Sequence, residues 1–138
     1  MVCTAVMRKK ILVPLYPENR DLKALYHALA LAERIQAKVF ILLSRHLGND
    51  QQINGWIEEV LMDVIHGACG EGLQISYHIA EDGFEDEIIN LVQSESIDLI
   101  VVSADESLMK ASLQRIIPRV SSQIIQVRGK DKNSDTIK

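Results

Sequence analysis

Five short stretches of the chain are built to be strands, and each interval between them holds one amphipathic helix. Lys10-Ile11-Leu12-Val13-Pro14-Leu15, Val39-Phe40-Ile41-Leu42-Leu43 and Ile97-Asp98-Leu99-Ile100-Val101-Val102-Ser103 are apolar runs with almost no polar break. Leu73 to Ile79 alternates Leu73, Ile75, Tyr77 and Ile79 with Gln74, Ser76 and His78, and Gln123-Ile124-Ile125-Gln126-Val127 is the last run. A strand that is apolar on both sides must be covered on both sides, which antiparallel sheets rarely require. Strand–helix alternation with such strands predicts an α/β fold with a parallel sheet and helices on both faces. Right-handed crossovers leave few layouts, and the doubly wound one is favoured.

The intervals support this reading. Tyr16-Pro17-Glu18-Asn19 reads as a turn, after which Asn19 or Asp21 can cap a helix running to about Gln36. Its predicted apolar stripe is Leu22, Leu25, Tyr26, Leu29, Ala32 and Ile35. A second helix is predicted over Asp50 to His66, with Ile53, Trp56, Ile57, Val60, Leu61, Val64 and Ile65 inward and Gly67 and Gly70 able to end it. The alternation of 73–79 predicts a half-exposed strand at a sheet edge. Glu81-Asp82-Gly83 is a predicted turn before a helix over Glu85 to Ser96, where Glu85, Asp86 and Glu87 suit the positive end of the helix dipole and Ile88, Leu91 and Val92 face inward. A fourth helix, Leu108 to Val120, carries Met109, Leu113, Ile116, Ile117 and Val120 and must kink or end at Pro118. One domain over 9–128 and a frayed polar tail over 129–138 account for the 138 residues.

Charge narrows the function classes. Residues 1–45 carry eight Lys/Arg against three Asp/Glu, residues 46–109 carry fourteen acids and no Lys or Arg, and residues 110–138 carry seven bases against two acids. Such blocks either meet in the fold or leave a solvated acidic face, and the acidic face is the expected outcome. Nucleic acid is excluded as a partner, because half the chain offers no cation to a phosphate backbone. No apolar run is long enough to span a bilayer, so membrane insertion is not expected. The N-terminal order, apolar and then basic, is the reverse of a secretory signal. Cys3 and Cys69 form no disulfide framework, so a reduced, cytoplasmic setting is expected.

Three segments resemble the universal stress proteins. Lys10-Ile11-Leu12-Val13-Pro14 is similar to their first strand. Ala28-Leu29-Ala30-Leu31-Ala32 followed by Ala37-Lys38-Val39 is similar to their first helix and second strand. Ile97-Asp98-Leu99-Ile100-Val101-Val102 is similar to their fourth-strand signature. The resemblance spans about residues 9–128. It implies a five-stranded sheet of order 3-2-1-4-5, adenine nucleotide alpha hydrolase-like, and usually a dimer; many members bind ATP and others do not.

Members that bind ATP usually place an Asp just past the first strand, where this chain has Tyr16-Pro17-Glu18. They also carry Gly-x2-Gly-x9-Gly-Ser/Thr after the fourth strand, where this chain begins Ser103-Ala104-Asp105-Glu106, with Ala111-Ser112 nearest the final pair. A loop cradles phosphate by aiming successive backbone amides at it, and glycine permits the close approach. No glycine lies between Phe84 and Arg128, and Asp105 and Glu106 repel a polyphosphate. The chain is therefore expected to lack its relatives' ATP site, and no cofactor is expected. In a sheet of this order a ligand sits beyond the strand C-termini between the first and fourth strands. The rim of that degenerate pocket is predicted to be Leu15, Tyr16, Pro17, Ser103, Ala104 and Asp105, with Ala111 and Ser112, and Tyr16 is a candidate to fill the adenine space itself.

The remaining candidates favour bland readings. His27, His46, His66 and His78 are 19, 20 and 12 residues apart, with no pairing at helical spacing, so no metal set is predicted; His78 is expected to be exposed. Cys69 reads as a helix-terminal residue, and Ser103 and Ser112 as serines with local hydrogen bonds, since no base stands at a known spacing. Glu81, Asp82, Glu85, Asp86 and Glu87 lack the oxygen spacing of a calcium loop, so capping and solvation account for them. A phosphorelay receiver needs an acidic pair after the first strand and an Asp ending the third, where this chain has Tyr16-Pro17 and Ile79-Ala80; a flavin domain needs a Ser/Thr/Gly-rich loop after the first strand, where this chain has Tyr16-Pro17-Glu18-Asn19. The last strand, Gln123, Ile124, Ile125, Gln126 and Val127, is an edge in this sheet order with no proline or lysine to guard it. Universal stress proteins commonly dimerise through this strand, and a symmetric homodimer is predicted. The leading expectation is a non-catalytic, dimeric regulatory module that does not bind ATP. The alternatives are a nucleotide-binding switch with a degenerate site and a cytosolic accessory domain of a membrane transporter.

Overall fold

A computed structural model of the chain describes residues 9–16, 22–44, 51–81, 83–103 and 107–127, with backbone alone for 51–56 and 107–109. Five strands, β1 (Lys10–Leu15), β2 (Lys38–Ser44), β3 (Ile75–Ala80), β4 (Leu99–Ser103) and β5 (Gln123–Val127), form one sheet in the order β3-β2-β1-β4-β5, every neighbouring pair parallel. This is the predicted doubly wound order. Leftward crossovers and rightward crossovers of the same hand must run on opposite faces. So α1 (Lys23–Ile35) and α2 (Gln51–Gly70) share one face, and α3 (Phe84–Glu95) and α4 (Ser107–Ile116) share the other.

Each face has its own core. Ile11, Val13, Leu15, Val39, Ile41, Leu43 and Val101 meet Leu25, Ala28, Ala32, Ile57 and Leu61 on the α1/α2 side. Leu12, Tyr16, Phe40, Leu42, Ile100 and Val102 meet Phe84, Ile88, Val92, Leu113 and Ile116 on the α3/α4 side. The period-two alternation of side chains in the central strands thus deals successive apolar residues to two different cores.

Several local expectations are corrected. In α1 the residues packed to full burial are Ala24, Leu25, Ala28 and Ala32, whereas Tyr26 and Ile35 lie exposed. Small alanines let the helix backbone approach the sheet closely, and the buried stripe turns toward them. Asn19 and Asp21, the expected caps, lie outside the described residues; α1 starts behind Leu22, which is buried in left-handed backbone. Gly70 is the last residue of α2, but neither it nor Gly67 takes the left-handed position expected of the helix end. That position falls two residues later, on Gly72 at φ 96°: the amide of Gly72 donates to the Cys69 carbonyl (3.0 Å) and that of Leu73 to the Ala68 carbonyl (3.1 Å). This is the paired hydrogen bonding of a Schellman cap. Strand β3 is the predicted edge, but His78 is half-buried and stacked on Phe40, with centroids 6.1 Å apart. Pro118 does end α4, and Ile117–Arg119 continue as a 3-10 turn; Ile117 is exposed. Met109, Ile53 and Trp56 lie outside the described side chains, and the tail 129–138 lies outside the described residues.

Asp98 ties the N-terminal end of the sheet together. Its carboxylate accepts the Lys10 amide at 2.9 Å, its own amide donates to the Lys10 carbonyl at 2.9 Å, and its carbonyl accepts the Gln123 amide at 3.1 Å. Lys10 Nζ also donates to the Glu95 carbonyl at 2.9 Å. The basic first block and the acidic middle block therefore meet here. Among the described residues no helix is long and apolar enough to cross a membrane.

Candidate functional site

Beyond the C-terminal end of β1, the even-numbered side chains of that strand point to the α3/α4 core, and Tyr16 is the last of them. Its residue is only 7% exposed, and its ring packs on Phe84 at the start of α3, with centroids 4.7 Å apart and planes tilted by 53°. The tilt suits the quadrupoles of the two rings better than a face-to-face stack. The Tyr16 hydroxyl lies 2.6 Å from Ser112 Oγ on α4, and Ser112 is fully buried. Ser112 Oγ in turn lies 3.0 Å from Glu85 Oε2. Arg115, one helical turn after Ser112, places Nε 2.8 Å from Glu85 Oε1 and 2.9 Å from Oε2, with Nη2 also on Oε2.

The proton order in this chain follows from the carboxylate. The Arg115 guanidinium holds the Glu85 carboxyl below its ordinary range, with the Ser112 hydrogen bond adding to the effect against some burial. Glu85 raises the Arg115 guanidinium in return. An ionised carboxylate only accepts, so the single Ser112 proton is donated to Glu85, and Tyr16 donates to Ser112. Sequence reasoning assigned Glu85 to capping and solvation and Ser112 to local hydrogen bonds. Both are corrected: their partners are 27 and 96 residues away along the chain. The one available signal was the pairing of an acidic residue at a helix start with a Ser-x-x-Arg face on a later helix, and three- and four-residue spacing is too common to single it out.

The predicted rim is brought together in part. Leu15 is buried in the opposite core, Tyr16 and Ser112 are in direct contact, Ser103 is buried at the end of β4, and Ala111 is exposed beside Ser112. Pro17, Ala104 and Asp105 lie outside the described residues. A cleft of about 650 Å³ lies at the other end of the sheet, lined by Gln93, Ser96, Asp98, Pro118, Arg119 and Ser121 among others. It sits at the N-terminal ends of β4 and β5, away from the strand ends where α/β sheets place their ligands, and its carboxylate is committed to the Lys10 amide. Among the described residues no three His, Cys, Asp or Glu converge as a metal site would need, and Cys69 is a free, exposed thiol.

No family model matches the chain, and no curated protein matches it. Solved structures do. UspA, a universal stress protein from Lactobacillus plantarum, superposes with a TM-score of 0.71 at 15% identity, over 90% of this chain and 100% of that one. A universal stress protein family member from Burkholderia pseudomallei gives 0.66 at 17% identity, over 90% and 98%. A universal stress protein in complex with cAMP gives 0.65 at 18% identity, over 89% and 98%. The architecture of this chain is therefore the universal stress protein fold.

Proposed function

We propose that the chain is a universal stress protein by descent as well as by fold, acting in the cytoplasm as a non-catalytic, dimeric regulatory module that does not bind ATP through the family's glycine motif. One observation carries this reading: beyond the C-terminal end of β1 the ring of Tyr16 is buried against Phe84 and its hydroxyl is hydrogen-bonded to Ser112. The chain also offers no glycine from Glu85 to Val127 that would let backbone amides wrap a polyphosphate. A hydrolytic role lacks support for a specific reason. Ser112 has a carboxylate on its hydroxyl, as a nucleophile would need, but Arg115 makes that carboxylate a poorer base, and Ser112 has no exposed surface for a substrate. Calorimetric titration with ATP tests the reading: no heat of binding up to millimolar nucleotide is expected, and a micromolar Kd overturns it.

A degenerate nucleotide site is the second reading, and the similarity to a protein in complex with cAMP favours it. Parallel titrations with cAMP and AMP separate the two, because a compact monophosphate needs fewer backbone donors than ATP. We place the dimer contact on β5, whose outer edge has no strand partner among the described residues and whose exposed residues are Gln123 and Gln126.

A further inference from the structure

We infer that the outer edge of β3 is a docking edge for a basic, extended segment of a partner protein, which joins the sheet there as an added strand. β3 closes the sheet on the side opposite β5, and its outer edge has no strand partner among the described residues. The ladder to β2 shows which backbone groups face away from it. The Val39 amide donates to the Gln74 carbonyl at 3.0 Å, and Val39 stands in register with Ile75. In a parallel ladder the residues of a strand turn their amides and carbonyls alternately to one neighbour and to the other. Ser76 and His78 therefore face β2 with their backbone groups, and Ile75 and Ile79 face outward. Natural edges are blunted by lysine, proline or a bulge. β3, Ile75-Ser76-Tyr77-His78-Ile79-Ala80, has neither lysine nor proline, and its register with β2 runs unbroken from Ile75 to Ala80. Ile79 is 37% exposed and offers an incoming strand apolar surface.

Charge selects the occupant. β3 lies inside residues 46–109, which hold fourteen acids and no Lys or Arg. Glu71 is exposed just before the strand and Glu81 just after it. The helix that leads into β3 and shares the core of Ile75, α2, exposes Glu59 and Asp63. Lys38, at the start of β2, holds its ammonium over the Phe40 ring, 5.0 Å from the centroid, and Phe40 belongs to the opposite core. An acidic surround draws in a segment rich in Lys or Arg and repels an acidic one. Pairing β3 with the β3 of a second copy sets two acidic edges side by side, so a basic partner fits where a second copy does not. In such strand addition the main-chain hydrogen bonds give affinity and the flanking side chains give the choice of partner.

The test is fluorescence anisotropy on the full chain with a labelled peptide that alternates Val and Lys. Saturable binding with a micromolar Kd is expected, and its absence overturns the inference. A Val–Glu peptide, and a Val–Lys peptide with proline at its centre, are each expected to bind at least about tenfold more weakly. Equal binding of the proline peptide means that charge alone is read, and equal binding of the Val–Glu peptide means that charge is not read; either overturns the inference. Ile79→Pro removes an outward amide and leaves the bonds to β2 in place, so it is expected to weaken binding at least about tenfold, and undiminished binding overturns the inference. Hydrogen exchange on the wild type needs no variant to fold: the amides of Ile75 and Ile79 are expected to slow when the Val–Lys peptide is added, and unchanged exchange at both overturns the inference. The inference goes beyond the proposed function and does not rest on the β5 dimer. Gln126→Lys, which addresses β5, is expected to leave peptide binding unchanged, and loss of binding in that variant puts the peptide on the wrong edge and overturns the inference.

Discussion

Tyr16 does two jobs with one side chain, and they can be separated by substitution. Its ring fills space beside Phe84, and its hydroxyl orients Ser112. Tyr16→Phe keeps the ring and removes one buried hydrogen bond; the expected loss is about 1 kcal/mol, read from urea unfolding midpoints. Tyr16→Ala also opens a cavity, and the expected loss is about 3–5 kcal/mol by the same measurement. A difference below about 1 kcal/mol between the two variants would mean the ring fills nothing. Glu85 adds a pH dependence whose sign is fixed. Its folded-state carboxyl lies below the ordinary 4.5, so its contribution is fully present above that value and fades as the pH falls through the folded one. Denaturation midpoints of the wild type should drop on acidification through this window, and those of Glu85→Gln should drop less.

At the scale of elements, the helix ends are where energy can be recovered or lost by single changes. Gly72 holds the left-handed position that closes α2, with open space where a Cβ would go, so Gly72→Ala is limited by backbone strain alone and should cost about 1 kcal/mol. Ser96 ends α3 at φ 56° without being glycine, and Ser96→Gly should raise stability by up to about 1 kcal/mol. Thermal or urea unfolding of the pair checks both signs at once. The same elements show what a sequence displays. The runs at 10–15, 39–43 and 97–103 had to hold buried strands, because almost nothing polar interrupts them, though the last of these starts only at Leu99, after Asp98, and the alternation at 73–79 had to be an edge. The inward turn of α1 toward Ala24 and Ala28 was not readable, since periodicity scores a tyrosine above an alanine while packing against a sheet favours the smaller residue. The α2 stop was displaced to Gly72 because glycine inside a helix is tolerated and only the cap geometry selects among candidates. The Tyr16–Ser112–Glu85–Arg115 chain was half legible: Tyr16 and Ser112 followed from the sheet order and the resemblance, but the acid and base that complete it come from contacts no local pattern encodes.

For the whole molecule, β5 links the two cores. Ile124 packs toward the α3/α4 side, and Ile125 and Val127 toward the α1/α2 side, so the strand is held by both layers while its outer edge has no strand partner among the described residues. Gln126 is exposed there, and lysine is the residue that edge strands use to refuse company. Sedimentation at micromolar concentration should find a dimer for the wild type and a shift toward monomer for Gln126→Lys, with unfolding midpoints unchanged. A monomer in both samples rejects the β5 interface.

The two ends of the sheet are fastened in different ways. At one, Asp98 joins β1, β4 and β5 through two backbone hydrogen bonds and its own carboxylate. At the other, closure depends on a partly wetted carboxylate and guanidinium. The molecule is therefore bound like a book, stitched along its spine and kept shut by a catch, and whatever loosens the catch parts the pages from that margin first.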